Sequence, residues 1–188
     1  MPRKMNTYVA LLRGINVGGN NIIPMADLRA CFEENGFQNV SSYIQSGNVI
    51  FQSTINSNRK LVSTLEKILS QSFSYDARVV VIESGEYNQM VESAHQGWGD
   101  KEDQKHNAMF LVDQTDAMAF LATLPAPKKS IDKVSTGSSV IFWSANQAKV
   151  TQSSMMQIAK LKAYKQMTVR NHKTTRKIKE LLVKVSDN

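Results

Sequence analysis

Apolar and polar positions along this chain follow two periods, and taken in order they predict a succession of strands and helices. Thr7-Tyr8-Val9-Ala10-Leu11-Leu12 is a continuous apolar, β-rich run that stops at a glycine loop, which predicts an opening strand. Beyond the loop, Met25, Leu28 and Phe32 recur at helical spacing, with Pro24 suited to the first turn and Gly36 to a left-handed stop. Short strands are predicted over 40–44 and 49–52, joined by a glycine turn at Ser46-Gly47 in the manner of a hairpin. Asn58 is expected to cap a second helix whose apolar face is Leu61, Leu65, Ile68 and Leu69, and that helix leads into a strand over 77–82. The order is strand, helix, two strands, helix, strand.

That order recurs. A helix over 87–94 and a polar, charged joint over 96–105 precede a strand over 106–112 and a helix over 115–124. Strands over 131–135 and 140–144 form another hairpin across Thr136-Gly137-Ser138, Ser153 caps a helix reaching Leu161, and 166–170 is a short strand. A final helix starts at an Asn171 cap and packs Ile178, Leu181, Leu182 and Val185. Both hairpins contain nearly the same string, Ser46-Gly47-Asn48-Val49-Ile50-Phe51-Gln52-Ser53 against Thr136-Gly137-Ser138-Ser139-Val140-Ile141-Phe142-Trp143-Ser144. Such self-similarity points to duplication rather than one continuous α+β domain. The expected class is therefore α+β, two ferredoxin-like βαββαβ sandwiches with antiparallel sheets. Residues 1–95 form the first half, 96–105 the polar joint, and 106–188 the second half with an extra carboxy-terminal helix. Right-handed crossovers place the third strand between the first and second, antiparallel to each. Arg13 and Asn16 after strand one, and Ser46 and Asn48 before strand three, should then share one sheet edge.

Composition narrows the class without changing the picture. At 188 residues, 41% hydrophobic and 21% charged, the chain can bury real cores and is neither disordered nor fibrous. Its longest apolar runs, around 79–82 and 108–112, are far below the ~20 residues that a membrane helix needs, so no membrane partner is expected. Met1-Pro2-Arg3-Lys4 opens without an apolar segment or cleavage site, and Cys31 is the single cysteine; both suit the cytoplasm. Charge is uneven. Residues 149–188 hold ten Lys or Arg against Glu180 and Asp187, a surplus larger than the whole-chain +7. That fifth of the chain is either a solvated helix face or a surface for nucleic acid or a phosphorylated ligand.

Candidate chemistry concentrates in two glycine-centred loops. In Arg13-Gly14-Ile15-Asn16-Val17-Gly18-Gly19 the glycines allow positive φ and close approach of a ligand to the backbone, whose free amides can hold an anion. The alternative is a turn in which they serve geometry alone. Neither a Walker loop nor a dinucleotide-binding fingerprint is present. In Gln45-Ser46-Gly47-Asn48, Gly47 serves the turn and Ser46 and Asn48 are the expected contact residues. Arg170 and Asn171, at the start of the last helix, form a third candidate, with Asn171 as a plain cap the alternative. The expected ligand-binding set is thus Arg13, Gly14, Asn16, Gly18, Gly19, Gln45, Ser46, Gly47, Asn48, Arg170 and Asn171.

Three strings also carry a resemblance. Arg13 to Gly19 after an opening strand, Tyr43-Ile44-Gln45-Ser46-Gly47-Asn48-Val49, and Thr168-Val169-Arg170-Asn171 before a closing helix resemble the bacterial family of uncharacterised proteins called domain of unknown function 1697. The resemblance covers almost the whole chain. It implies an α+β protein of uncharacterised activity and brings no catalytic or cofactor residues. Where relatives often show Ser-Lys-Leu this chain has Ser154-Met155-Met156, and His172 stands where an aromatic commonly follows the Arg-Asn pair, which weakens a shared role for that region.

Catalytic patterns are mostly missing. Cys31 sits on a helix face between Leu28 and Phe32 and reads as a small buried hydrophobe. His95, His106 and His172 are isolated in sequence, no metal-binding spacing occurs, and no acid–base pair stands out. Tyr8, Tyr43, Phe51, Phe142 and Trp143 are strand aromatics, but no RNA-binding string surrounds them and most are expected in the core. The first functional expectation is a binding protein for a phosphorylated small molecule or nucleotide at the two loops. The second is a nucleic-acid-binding module using the basic face, and the third an enzyme that polarises its substrate at the loops. Nothing specifies a cofactor or an oligomeric state.

Overall fold

The computed structural model describes residues 4–186; Met1-Pro2-Arg3, read above for a secretion signal, and Asp187 lie outside them. The chain forms two compact units, one taking residues up to Tyr87 together with those from Ile178 onward, the other Asn88–Lys177.

In the first unit the elements are β1 (Asn6–Leu12), α1 (Met25–Glu34), β2 (Gln38–Tyr43), β3 (Asn48–Ser53), α2 (Asn58–Phe73) and β4 (Val79–Glu83). The sheet order is β2-β3-β1-β4, antiparallel throughout. This is the expected βαββαβ arrangement, with the third strand between first and second. Tyr8, Ala10 and Leu12 pack on one face with Val49, Phe51, Val79 and Val81, against Leu28 and Phe32 of α1 and Leu61, Leu65 and Leu69 of α2. Val9, Leu11 and Ile50 of the other face are buried as well, which explains why the opening run is continuously apolar rather than alternating. Phe32, Phe37 and Phe51 meet edge to face or tilted at ring separations of 5.0–5.6 Å, worth about 0.5–1.5 kcal/mol per pair beyond simple burial.

One cap differs from expectation. Ser57, not Asn58, caps α2, its hydroxyl accepting from the Lys60 amide, while Asn58 donates through Nδ2 to the Val81 carbonyl at 2.6 Å and ties the helix to β4. Serine and asparagine cap about equally well. Here the long-range carbonyl makes the choice.

Helix α3 (Ser84–Glu92) precedes β5 (Gln104–Leu111), α4 (Ala117–Leu121), β6 (Asp132–Thr136), β7 (Val140–Asn146), α5 (Ser154–Ile158), β8 (Met167–Asn171) and α6 (His172–Ser186). The second sheet, β6-β7-β5-β8, repeats the order of the first. Helices α4 and α5 are shorter than their apolar spacing suggests. Asp116 caps α4 and Ser153 caps α5, as expected for the latter. The Asp132 carboxylate holds this corner together, accepting from Ser153 Oγ at 2.5 Å, the Lys128 amide at 2.9 Å and the Ser154 amide at 3.1 Å. Burial pushes its carboxyl up, but the Ser153 and Lys128 hydrogen bonds outweigh that and hold it below the ordinary carboxylate range. Among the described residues no helix is long and apolar enough to cross a membrane.

Candidate functional site

Register brings the two glycine loops of the first unit together. Leu11 stands opposite Asn48 in the sheet, so β1 leaves the sheet where β3 enters it, and the Leu12 amide donates to the Gly47 carbonyl at 2.8 Å. Gly47 has φ +73, and a Cβ there would lie 2.8 Å from Leu12 Cβ and 2.9 Å from Ile15 Cδ1. Only glycine allows so close an approach.

The first loop is a small finger rather than a loose turn. The Asn16 amide donates to the Asn21 carbonyl and the Asn20 amide to Val17, both at 3.1 Å, and Gly18 and Gly19 form the tip at φ +61 and +77. Positive φ at both central residues is the tight-turn geometry that glycine takes most cheaply. Asn16, itself at φ +53, anchors the base. Its Nδ2 donates to the carbonyls of Ile23 at 3.0 Å and Gln45 at 2.9 Å, and its Oδ1 accepts from the Ile23 amide at 2.8 Å. Asn21 Nδ2 closes the other side on the Gly14 carbonyl at 2.9 Å. Asn16 thereby joins the finger to the second loop.

In that second loop Asn48 is fully buried, and its Nδ2 donates to the Tyr43 carbonyl at 3.0 Å and to Ser46 Oγ at 2.9 Å. Asn48 thus closes the 43–48 turn from inside, Ser46 lies half-buried beside it, and the Gln45 side chain is exposed. Ile44 takes φ +49 while half-exposed, an unusual conformation for a β-branched residue. Arg13 is half-buried at the root of the finger, its amide bonded to the Arg78 carbonyl at 2.9 Å. On the finger's surface Val17 is 63% and Ile22 75% exposed, beside the exposed Gly18, Gly19, Asn20 and Asn21.

A family model described as "Protein of unknown function (DUF1697)" matches residues 5–142, which include both loops and their shared edge. The chain belongs to this family. Among solved structures it is similar to the conserved bacterial protein SP0830 from Streptococcus pneumoniae, at 28% identity and a TM-score of 0.84, over 95% of this chain and 99% of that one. No curated protein matches it. The DUF1697 match ends before Thr168-Val169-Arg170-Asn171, the third string on which the resemblance was read.

That third string lies in the second unit. Arg170 is buried, its guanidinium donating to Thr168 Oγ1 at 2.8 Å and the Val169 carbonyl at 3.0 Å, and Asn171 Oδ1 accepts the Thr174 amide as a helix cap. Cys31 is buried, with Sγ 3.4 Å from Ser72 Oγ. Tyr8, Phe51, Phe142 and Trp143 are buried too, as expected of core aromatics, and Tyr43 is half-buried.

Sequence reading missed one cluster. His95, His106 and His172, which look isolated along the chain, gather in the second unit around Ser144 and Trp98. Part of this had a signal, because His106 and Ser144 stand on strands recognised from the sequence and are register partners. His95 had none, since its loop reaches Ser144 only through the tertiary fold. Among the described residues no group of three or more His, Cys, Asp or Glu could hold a metal ion.

Proposed function

We propose that the glycine finger of the first unit binds a phosphate-bearing small molecule, with a nucleotide the best match. One contrast carries the reading. Asn16 and Asn21 commit their side-chain amides to holding the base of the finger, whereas the backbone amides of Gly14, Gly18 and Gly19 donate to no acceptor among the described residues. No atom lies within 4 Å of a Cβ built at Gly14 or Gly19. Amides held rigid and open to solvent are preorganised for an anion, because little entropy is lost on binding. Arg13 would add charge-assisted hydrogen bonds to the anionic oxygens. Exposed Val17 and Ile22 would lie against the apolar face of a base, which favours a nucleotide over bare phosphate. Gln45, Ser46, Gly47 and Asn48 support the finger from below. A buried, single cysteine suits the cytoplasm for such a protein.

Calorimetric titration with ADP tests this. The parent protein is expected to bind with a shallow salt dependence, and Arg13→Ala to lose binding while keeping its circular dichroism spectrum. Equal ADP-induced thermal shifts in the two proteins would overturn the reading.

A second reading rests on the exposed Lys149, Lys160, Lys162 and Lys165 of the second unit, which form no ion pair among the described residues. They suit a nucleic-acid backbone, and binding there would fall steeply with salt. Base stacking on the sheet is not part of it, since the strand aromatics are mostly buried. Retention of mixed RNA and DNA on a filter at low salt supports this reading, and absence of retention removes it.

A further inference from the structure

The chain has three histidines, and in the second unit two of them share one serine. His95 Nε2 lies 2.9 Å from Ser144 Oγ, which lies 2.7 Å from His106 Nδ1. Each outer end meets a backbone carbonyl: His106 Nε2 is 3.0 Å from the Lys101 oxygen, and His95 Nδ1 is 3.2 Å from the Gln96 oxygen. Ser144 and His106 are each 1% exposed, whereas His95 is partly open to solvent.

A carbonyl oxygen only accepts. Four hydrogen bonds in this row therefore need four protons, while two neutral imidazoles and one hydroxyl supply three. The buried end decides where the shortfall falls. The Lys101 carbonyl requires the proton on His106 Nε2, which makes His106 Nδ1 an acceptor for the Ser144 hydroxyl, and Ser144 Oγ then accepts from His95 Nε2. The bare position is His95 Nδ1. It is the cheapest place for it, because water reaches that ring and the Gln96 carbonyl already accepts from Lys133 Nζ at 2.7 Å.

We infer that His95, Ser144 and His106 form a proton relay that binds one proton between them, with His95 Nδ1 as its port to solvent. The added proton completes the fourth hydrogen bond, to Gln96. Shifting the His95 Nε2 proton to Oγ, and the hydroxyl proton on to His106 Nδ1, moves the charge inward with every atom conserved. A second proton is opposed, because both rings would then be cations donating to one oxygen. The surroundings add to this: Lys133 of β6 lies beside His95, and His172 of α6 stands 5.3 Å from His106, ring to ring. Lys173 and Arg176 of α6 lie beyond His172, and Asp100 is ion-paired with Arg176 at 2.7 Å. Burial, helped by the Lys133 and His106 charges, keeps His95 below the ordinary histidine range against the Gln96 hydrogen bond, which raises it; burial, then His106, lowers His172 as well. Protonating His95 therefore takes a more acidic solution than an ordinary histidine needs. Both carbonyls that terminate it belong to residues 96–101, and Gly99, Asp100 and Lys101 line a polar cavity of about 450 Å³ together with Glu102, Gln104, His172 and Lys173.

The test is a pH titration of the full chain, labelled with ¹⁵N and followed at the imidazole nitrogens by NMR. At alkaline pH both His95 and His106 are expected as the Nε2–H tautomer, and on acidification the two rings together take up one proton before any second. An Nδ1–H tautomer at His106, or a whole proton entering each ring over one shared range, overturns the proposal. Both readouts come from the parent protein. Ser144→Ala is expected to split the shared step into two independent ones, and a shared step that persists in this variant also overturns the relay.

Discussion

Replacing Gly47 by alanine probes the contact between the two loops directly. Gly47 sits at φ +73, and the new methyl would lie 2.8 Å from Leu12 Cβ and 2.9 and 3.0 Å from Ile15 Cδ1 and Cγ1. An L-residue in the left-handed region costs about 1 kcal/mol. The clash with Leu12 adds about 1–3 kcal/mol of overpacking, since a Cβ on a paired strand cannot swing aside. The sum is about 2–4 kcal/mol. Gly19→Ala is the control: φ is +77, but no atom lies within 4 Å, so only the backbone cost of about 1 kcal/mol remains. With a urea slope of about 2 kcal/mol per molar, Gly47→Ala should lower the unfolding midpoint by about 1–2 M and Gly19→Ala by about 0.5 M. Hydrogen exchange of the Leu12 amide, bonded to the Gly47 carbonyl, should accelerate in Gly47→Ala alone. Equal midpoints for the two variants would refute the close apposition of the loops.

Ile44→Asn should stabilise the first unit by about 1 kcal/mol, because asparagine tolerates the φ of +49 that a β-branched residue resists and little buried surface is lost; a thermal midpoint that stays the same or falls would count against a strained Ile44. Asp132→Asn should cost about 2 kcal/mol at neutral pH by removing a charge that three donors address. The same carboxylate carries a pH signature. Its folded value lies below the ordinary 3.8, so its contribution is present above that value and is lost as pH falls through the folded one. Denaturation of parent and Asp132→Asn at a series of acid pH values should show their stabilities converging there, and a constant gap would contradict the assignment.

The elements and their order were legible from periodicity, because each strand and helix shows its apolar face in its own sequence and short connections leave few ways to pair the strands. The meeting of the two glycine loops followed from that order. What each side chain does there was not legible. Asn16 and Asn48 look like ligand contacts in a string of letters, but in the fold both hold backbone carbonyls, since only register places those carbonyls within reach. Asn58 reads as the cap of α2 in the sequence, but β4 offers it a carbonyl and Ser57 takes the cap instead. The histidine row is the extreme case. His95, His106 and Ser144 become one hydrogen-bonded system through β5–β7 register and a loop that returns to it, and no local pattern encodes that. Local sequence determines which face an element buries, whereas the choice of a polar group's partner depends on distances that exist only once the chain is folded.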